Sequence, residues 1–281
     1  FTIESLKQDG FESVFLGIGA QMSEAFNVPG EKVEGVVNAR DLLLEVSDHG
    51  KAKIGKTVVI YGDTYAASDA ARTAIRLGAD KVLLAYKSVP EAKSALFETF
   101  QDAKAEGSQL LAGVELKQIR GKEGHVSGVE LLNEIGLSLN VDCDMVVLAG
   151  DMRVEGEGID GIISDGHISV DRKTGMTSFT GVYAGGDATR QGTIVSAIAA
   201  GEKAAASIDH FLMGESATLE YEPRHVRVDT ESVLQRTGYL KETLKSADNI
   251  TASPVERITN FKTYERVMTE IEGRRLTETV S

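Results

Sequence analysis

The sequence predicts an α/β protein built on parallel β-sheet, and three observations carry that prediction. Residues 57–86 read as strand, helix, strand: Thr57–Tyr61 and Lys81–Tyr86 are apolar runs, and Ala66–Leu77 between them has helical periodicity. Near-continuous apolar runs mark strands buried on both faces, and a helix joining two of them makes a βαβ unit. Residues 181–208 give a second strand–turn–helix: Gly-Val-Tyr-Ala, then Gly-Gly-Asp, then a helix whose inner face is Ala, Ser and Gly. The third observation is composition. The chain has 29 glycines and no Trp, as suits many tight turns and ligand-facing backbone. Together these point to two Rossmann-like nucleotide-binding domains.

The remaining elements follow in order. Phe11–Gly19 is an apolar strand running into a glycine turn, residues 21–40 are an irregular crossing segment, and Asp41–Val46 is helical. After the βαβ unit, Glu91–Glu106 is a second helix, ended by Gly107. Residues 110–136 alternate polar and apolar with glycines, the pattern of antiparallel strands and turns. Met145–Leu148 is a buried strand and His167–Val170 a short one. Residues 214–225 read as a linker and 226–281 as short, polar, amphipathic helices. The strand order suggests nesting. Residues 1–50 and 137–213 build one domain, residues 51–136 are inserted in it, and 214–281 form a linker and helical tail.

Composition narrows the function classes. At 281 residues and 42% hydrophobic the chain can bury a substantial core. Its net charge of −13 argues against nucleic acid or an anionic membrane as partner. No run approaches the ~18 apolar residues of a membrane span, and the first residues show no secretory pattern. Cys143 is the single cysteine, so this chain has neither an internal disulfide nor a cysteine-built metal or iron–sulfur centre. Preceding a buried strand, it reads as a small core residue. One buried thiol fits a cytoplasmic setting. The histidines (His49, His125, His167, His210 and His225) are scattered, so no metal site is expected. No Ser-His-Asp set or carboxylate pair stands out, and no residue is assigned a catalytic role.

Two motifs carry chemistry. At Gly185-Gly186-Asp187 the glycines let a ligand meet the backbone, and Asp187 offers an acceptor for a sugar or ribityl hydroxyl. The helix after it starts near Thr193 and Ile194, where free N–H groups and the positive dipole end suit a flavin edge that becomes anionic on reduction. Arg190 lies where it can approach flavin, partner or solvent. The second motif, Gly62-Asp63-Thr64, follows a strand and precedes a helix, where a dinucleotide fingerprint belongs. Gly62 keeps the tight first turn. Thr64 stands at the second-glycine position, where a Cβ crowds the pyrophosphate, and Ala67 serves for the third. Asp63 adds a negative charge at the mouth.

Residues 181–208, with Thr174–Ser178 upstream and Ala197–Gly201 downstream, closely resemble the second flavin-binding motif of flavoproteins with two dinucleotide domains. The chain from about Phe11 to Leu212 is most similar to the glutamate synthase small (beta) subunit family, of pyridine nucleotide-disulfide oxidoreductase-like fold. Phe15–Ala20 and Val146–Gly150 resemble that family's two interdomain crossing strands, and Asp69-Ala70-Ala71-Arg72 matches its helix. The resemblance implies a flavin-dependent oxidoreductase passing electrons between NAD(P)H, FAD and iron–sulfur centres. FAD would be held at Gly185, Gly186, Asp187, Thr193 and Ile194, and NAD(P) at Gly62, Asp63, Thr64 and Lys87. Where the family has two basic residues for a 2′-phosphate, Tyr86-Lys87-Ser88 keeps only Lys87, and no acid sits there for a free ribose hydroxyl. The family's N-terminal Gly-x-Gly-x-x-Gly loop and cysteine-rich segment are lacking. The chain thus reads as a piece of a longer polypeptide, or a subunit completed by a redox partner, with an incomplete FAD site and with iron–sulfur only on other segments. Self-association is left open. The alternative is a non-catalytic scaffold of a redox complex whose nicotinamide site has decayed.

Overall fold

A computed structural model describes residues 2–92, 94–190, 192–214 and 252–262. The elements run α1 (Ile3–Gln8), β1 (Val14–Leu16), β2 (Met22–Ser23), β3 (Val36–Asn38), α2 (Ala39–His49), β4 (Thr57–Tyr61), α3 (Tyr65–Arg76) and β5 (Lys81–Tyr86). There follow α4 (Ala95–Ala105), β6 (Gln109–Ala112), β7 (Val114–Lys122), β8 (His125–Asn133), β9 (Ser138–Val141) and β10 (Met145–Leu148). The last are β11 (Met152–Arg153), β12 (Ile163–Ser164), β13 (His167–Ile168), β14 (Val182–Ala184), α5 (Ile194–Met213) and the single turn α6 (Pro254–Arg257). Two compact units result, Phe1–Phe26 with Gly150–Pro223, and Asn27–Ala149 with Arg224–Ser281.

The second unit holds a five-stranded parallel sheet of order β3-β10-β4-β5-β6. In β4, Val58, Val59 and Ile60 are wholly buried, so the apolar run fills both faces of the sheet. Ala67, Ala70, Ala71 and Ala74 of α3 have no exposed surface. Small side chains on that face let the helix lie close on the strands, and Leu42 and Phe100 add to the same core. Strands β7, β8 and β9 form a separate antiparallel sheet.

Several expectations are corrected here. The seams fall at 26/27 and 149/150, not at 50/51 and 136/137. The cause is pairing: β10 takes β3 on one edge and β4 on the other, so residues 27–50 and 137–149 join the sheet of the inserted unit. The segment 21–40 contains two short strands rather than being irregular throughout. Residues 109–112 pair parallel to β5, so the antiparallel region begins only at Val114. Helix α4 starts at Ala95, after Ser94 caps it by accepting from the Phe97 N–H. Of the expected linker and tail, 215–251 and 263–281 lie outside the described residues.

A buried ion network ties α3 and α4 to the segment 252–262. The Glu106 carboxylate, with no exposed surface, meets Arg72 at 2.9 Å and Arg76 at 2.7 Å. Arg257 donates to Asp102 at 3.0 Å and to the Ala252 carbonyl at 2.7 Å, and Arg76 donates to the Asn260 carbonyl at 3.1 Å. The match of Arg72 to the family pattern is therefore a packing feature of α3.

In the first unit β1 and β14 pair in parallel, Val14 with Val182 through Leu16 with Ala184. Leu16, Ile162, Ile168 and Val182 form its core with Ile3. Helix α5 follows β14 by way of the short 3-10 turn Gly186–Ala188. The β12–β13 hairpin adds to the same core, with Ile163 paired to Ile168.

Candidate functional site

The register of β1 against β14 sets the first site. Because the strands are parallel and in step, the loop after Leu16 and the loop after Ala184 leave from the same end. That is the carboxyl end, where ligands of parallel sheets bind. A cleft of about 360 Å³ opens there, lined among others by Phe15, Gly17, Gly19, Gly186, Asp187 and Ile194. Gly185, Thr193, Gly192, Ala197 and Gly201 complete it. All five residues of the expected flavin set are thus brought to one cleft.

The two glycines have different reasons to be glycine. Gly185 is extended, and a Cβ there would stand 3.0 Å from Ala200 Cβ of α5 and 3.2 Å from the Phe15 ring. Its bareness lets α5 approach the strand. Gly186 has φ +67, and a Cβ there would meet only Ala197 at 3.7 Å. The turn conformation, not crowding, demands glycine at this second position. Thr189 closes the turn, its N–H and its hydroxyl both donating to the Gly186 carbonyl at 3.0 Å.

Asp187 is exposed, and its Oδ1 accepts from the Gly192 N–H at 3.3 Å. That bond folds the loop back and leaves the carboxylate with spare acceptor capacity. Thr193 is the N-cap of α5 in a capping box: its hydroxyl accepts from the Ser196 N–H and its own N–H donates to Ser196 Oγ. The donors left without a partner among the described residues are the N–H groups of Ile194 and Val195. A flavin edge or another anionic group fits this combination of free donors, bare backbone and one carboxylate. Arg190 does not line the cleft. It faces a neighbouring pocket with Arg172 and Lys203.

Phe15, Gly17, Ala197 and Gly201 line the cleft without having been assigned to it from the sequence. The repeated Gly-x-Gly after β1 was the available signal, but only its pairing with β14 shows where it points.

The second candidate site lies in the other unit, at the carboxyl ends of β4 and β5. Gly62 has φ +153, and its N–H donates to the Ala85 carbonyl at 3.1 Å. Thr64 caps α3: its hydroxyl accepts from the Ala67 N–H and donates to the Ala149 carbonyl, both at 3.3 Å. The N–H groups of Tyr65 and Ala66 have no partner among the described residues. The loop therefore has the strand–glycine–helix geometry of a phosphate cradle, with Thr64 working as a helix cap. Asp63 stands half-buried beside it. Lys87 is exposed and paired at 3.3 Å with Glu115 of β7. Glu115 belongs to a different sheet from β5.

Cys143 is buried, and burial, with Asp144 beside it, pushes its thiol up to about 12. It stays a thiol at neutral pH and is no redox nucleophile. Among the described residues no group of three His, Cys, Asp or Glu is placed to hold a metal. None of the described helices is long and apolar enough to cross a membrane.

Strand–glycine–helix turns at the carboxyl ends of parallel strands, one in each unit, define a Rossmann-type α/β protein. Residues 2–204 match the family described as Pyridine nucleotide-disulphide oxidoreductase, and the chain belongs to that family of oxidoreductases. The beta subunit of NADP(+)-dependent formate dehydrogenase from Moorella thermoacetica is 32% identical, over 75% of this chain and 33% of that protein. The NADPH glutamate synthase small chain of Mycobacterium tuberculosis strain CDC 1551 / Oshkosh is 28% identical, over 76% of this chain and 52% of that protein. The chain therefore spans about a third to a half of these curated relatives. The fold is similar to the thioredoxin reductases of T. acidophilum (TM-score 0.56, 21% identity, 72% of this chain and 66% of that one) and Lactococcus lactis (0.58, 18%, 72% and 66%).

Proposed function

We propose that the chain is part of a flavin-dependent electron-transfer protein, similar in role to a glutamate synthase small subunit, with FAD held by the first unit and a nicotinamide dinucleotide by the second. The observation that carries this reading is the cleft where Gly186, Asp187 and the free N–H groups of Ile194 and Val195 converge. FAD supplies the exchange between hydride and single electrons. The chain's own part is to bind and orient: Asp187 accepts from ribityl hydroxyls, the start of α5 faces the edge that gains negative charge, and Phe15 walls one side. In the second unit Gly62 and the N–H groups of Tyr65 and Ala66 receive the pyrophosphate, with Asp63 opposing it. Electrons leave to a redox partner subunit or to other domains, which also carry any iron–sulfur centre, since Cys143 alone holds none. A cytoplasmic setting suits the buried free thiol.

Titration of FAD into the chain tests the first site. Asp187→Ala lowers FAD affinity about tenfold, the worth of one charge-assisted hydrogen bond. Unchanged affinity would show that the carboxylate does not face the ligand. Bleaching of the flavin-loaded protein by NADH or NADPH tests the coupling of the two sites.

The scaffold reading is favoured by one observation, the acidic mouth of the second site. Asp63 should hold dinucleotide binding weaker than ~100 μM, within the ~1 μM–1 mM span of enzyme constants. Thr64→Gly with Asp63→Gly tightens it by removing a Cβ and a charge. Calorimetry that finds low-micromolar binding by the unaltered chain overturns this.

A further inference from the structure

In a βαβ dinucleotide unit the group about 20 residues past the first glycine, at the end of the second strand, meets the 2′ position of the adenosine ribose. In this chain that place is Tyr86–Ser88, after β5. Among the described residues the charges placed near it are Lys87, Glu115 and Asp63. Lys87 Nζ lies 3.3 Å from Glu115 Oε2, and both side chains remain more than half exposed, at 64% and 59%. Tyr61, at the end of β4, feels all three: Glu115 and Asp63 push its phenol up and Lys87 pulls it down, with burial the larger cause. Its hydroxyl donates to the carbonyl of Val114, the residue before Glu115. The start of β7 is thereby tied to the end of β4, and Glu115 is held at the mouth of the cradle.

We infer that Glu115 is a specificity-determining residue that, paired with Lys87, selects a dinucleotide with a free ribose 2′-hydroxyl, NADH, over its 2′-phosphorylated counterpart, NADPH. This rests on the reading of the second unit as a nicotinamide-dinucleotide site. A hydroxyl is one donor and an acceptor. A carboxylate beside an ammonium offers it one acceptor and one donor, so it can bridge the pair without breaking it. A 2′-phosphate carries nearly two negative charges at neutral pH and little donor capacity. It would have to detach Lys87 from Glu115 and then stand against that carboxylate, with Asp63 adding repulsion. Lys87 is the one basic residue of the Tyr86–Ser88 stretch, and its charge is already engaged.

The test is titration of NADH and NADPH, up to millimolar concentration, into the whole chain and into Glu115→Gln and Glu115→Lys, read by nicotinamide fluorescence or by amide shifts. Glu115 is exposed, so both variants fold. The unaltered chain should bind NADH about tenfold more tightly than NADPH, the scale of one like-charge contact at partly screened range. Glu115→Gln should shrink that ratio to about two or less, mainly by improving NADPH, and Glu115→Lys should invert it. Higher salt should shrink the ratio in the unaltered chain. Tighter binding of NADPH by the unaltered chain, or a ratio that Glu115→Gln leaves unmoved, overturns the inference while the nicotinamide reading stands. Binding of neither dinucleotide overturns both.

Discussion

Replacing Glu106 by Gln lowers the unfolding free energy of the chain by about 3–5 kcal/mol, the usual cost of breaking a buried ion pair from one side. The reason is not the attraction lost but the charges left behind. Arg72 and Arg76 keep only 9% of their side-chain surface exposed, and both meet the Glu106 carboxylate, which has none. A neutral amide can still accept the hydrogen bond from Arg72 Nε but balances neither charge. Asp69 does not replace the lost carboxylate, because its side chain is more than half exposed and Arg72 reaches it only at 3.9 Å. Urea denaturation of the variant measures the effect. Asp102→Asn is the control. The Asp102 side chain is 31% exposed and among the described residues it meets Arg257 alone, so its loss should cost distinctly less. Equal effects of the two variants would mean that water reaches Glu106 in solution.

That network also bears on function. Arg72 and Arg76 belong to the helix that Thr64 caps, so loosening α3 from α4 displaces the N–H groups of Tyr65 and Ala66. A loss of dinucleotide binding in Glu106→Gln at temperatures where the chain remains folded is the expected companion result.

What was legible in the sequence divides along physical lines. Thr57–Tyr61, Lys81–Tyr86 and Met145–Leu148 are strands with the bounds their apolar runs suggest. Burial on both faces writes an uninterrupted pattern, and flanking glycines or charges end it. Strand β3 was hidden because Val36, Val37 and Asn38 are half-buried, three residues at the sheet edge. The seams between units were misplaced because they follow from β10 joining β3 to β4, a long-range pairing with no local signature. The sites divide in the same way. Gly186, Asp187 and Thr193 announce themselves through turn and cap chemistry within a few residues. Phe15 and Gly17 enter the cleft proposed for flavin only through the register of β1 on β14, and Glu115 reaches Lys87 from a different sheet. Thr64 shows a further limit. Its residue type suggested obstruction, and the structure adds that its hydroxyl is committed to the Ala67 N–H and the Ala149 carbonyl.

Gly62→Ala should cost about 3 kcal/mol and abolish dinucleotide binding together. Two effects combine. At φ +153 an L-residue is strained, by roughly 1–3 kcal/mol. A Cβ there would also lie well inside van der Waals contact distance of the Ala149 carbonyl oxygen, which is rigid backbone at the end of the fully buried strand β10. Neither side can yield cheaply. The Gly62 N–H is engaged to Ala85, and the Ala149 N–H donates to the Tyr61 carbonyl at 2.9 Å. If Ala149 moves, Thr64 loses the carbonyl its hydroxyl donates to, and the cap of α3 opens. Gly78→Ala separates the two causes. Gly78 has φ +95 but open space around a Cβ, so it reports backbone strain without the contact. Its cost should be about 1 kcal/mol, with dinucleotide binding unchanged. If Gly62→Ala proves no more destabilising than Gly78→Ala, the approach of Gly62 to Ala149 is looser than described, and the loop's shape must come from Thr64 and Ala67 instead.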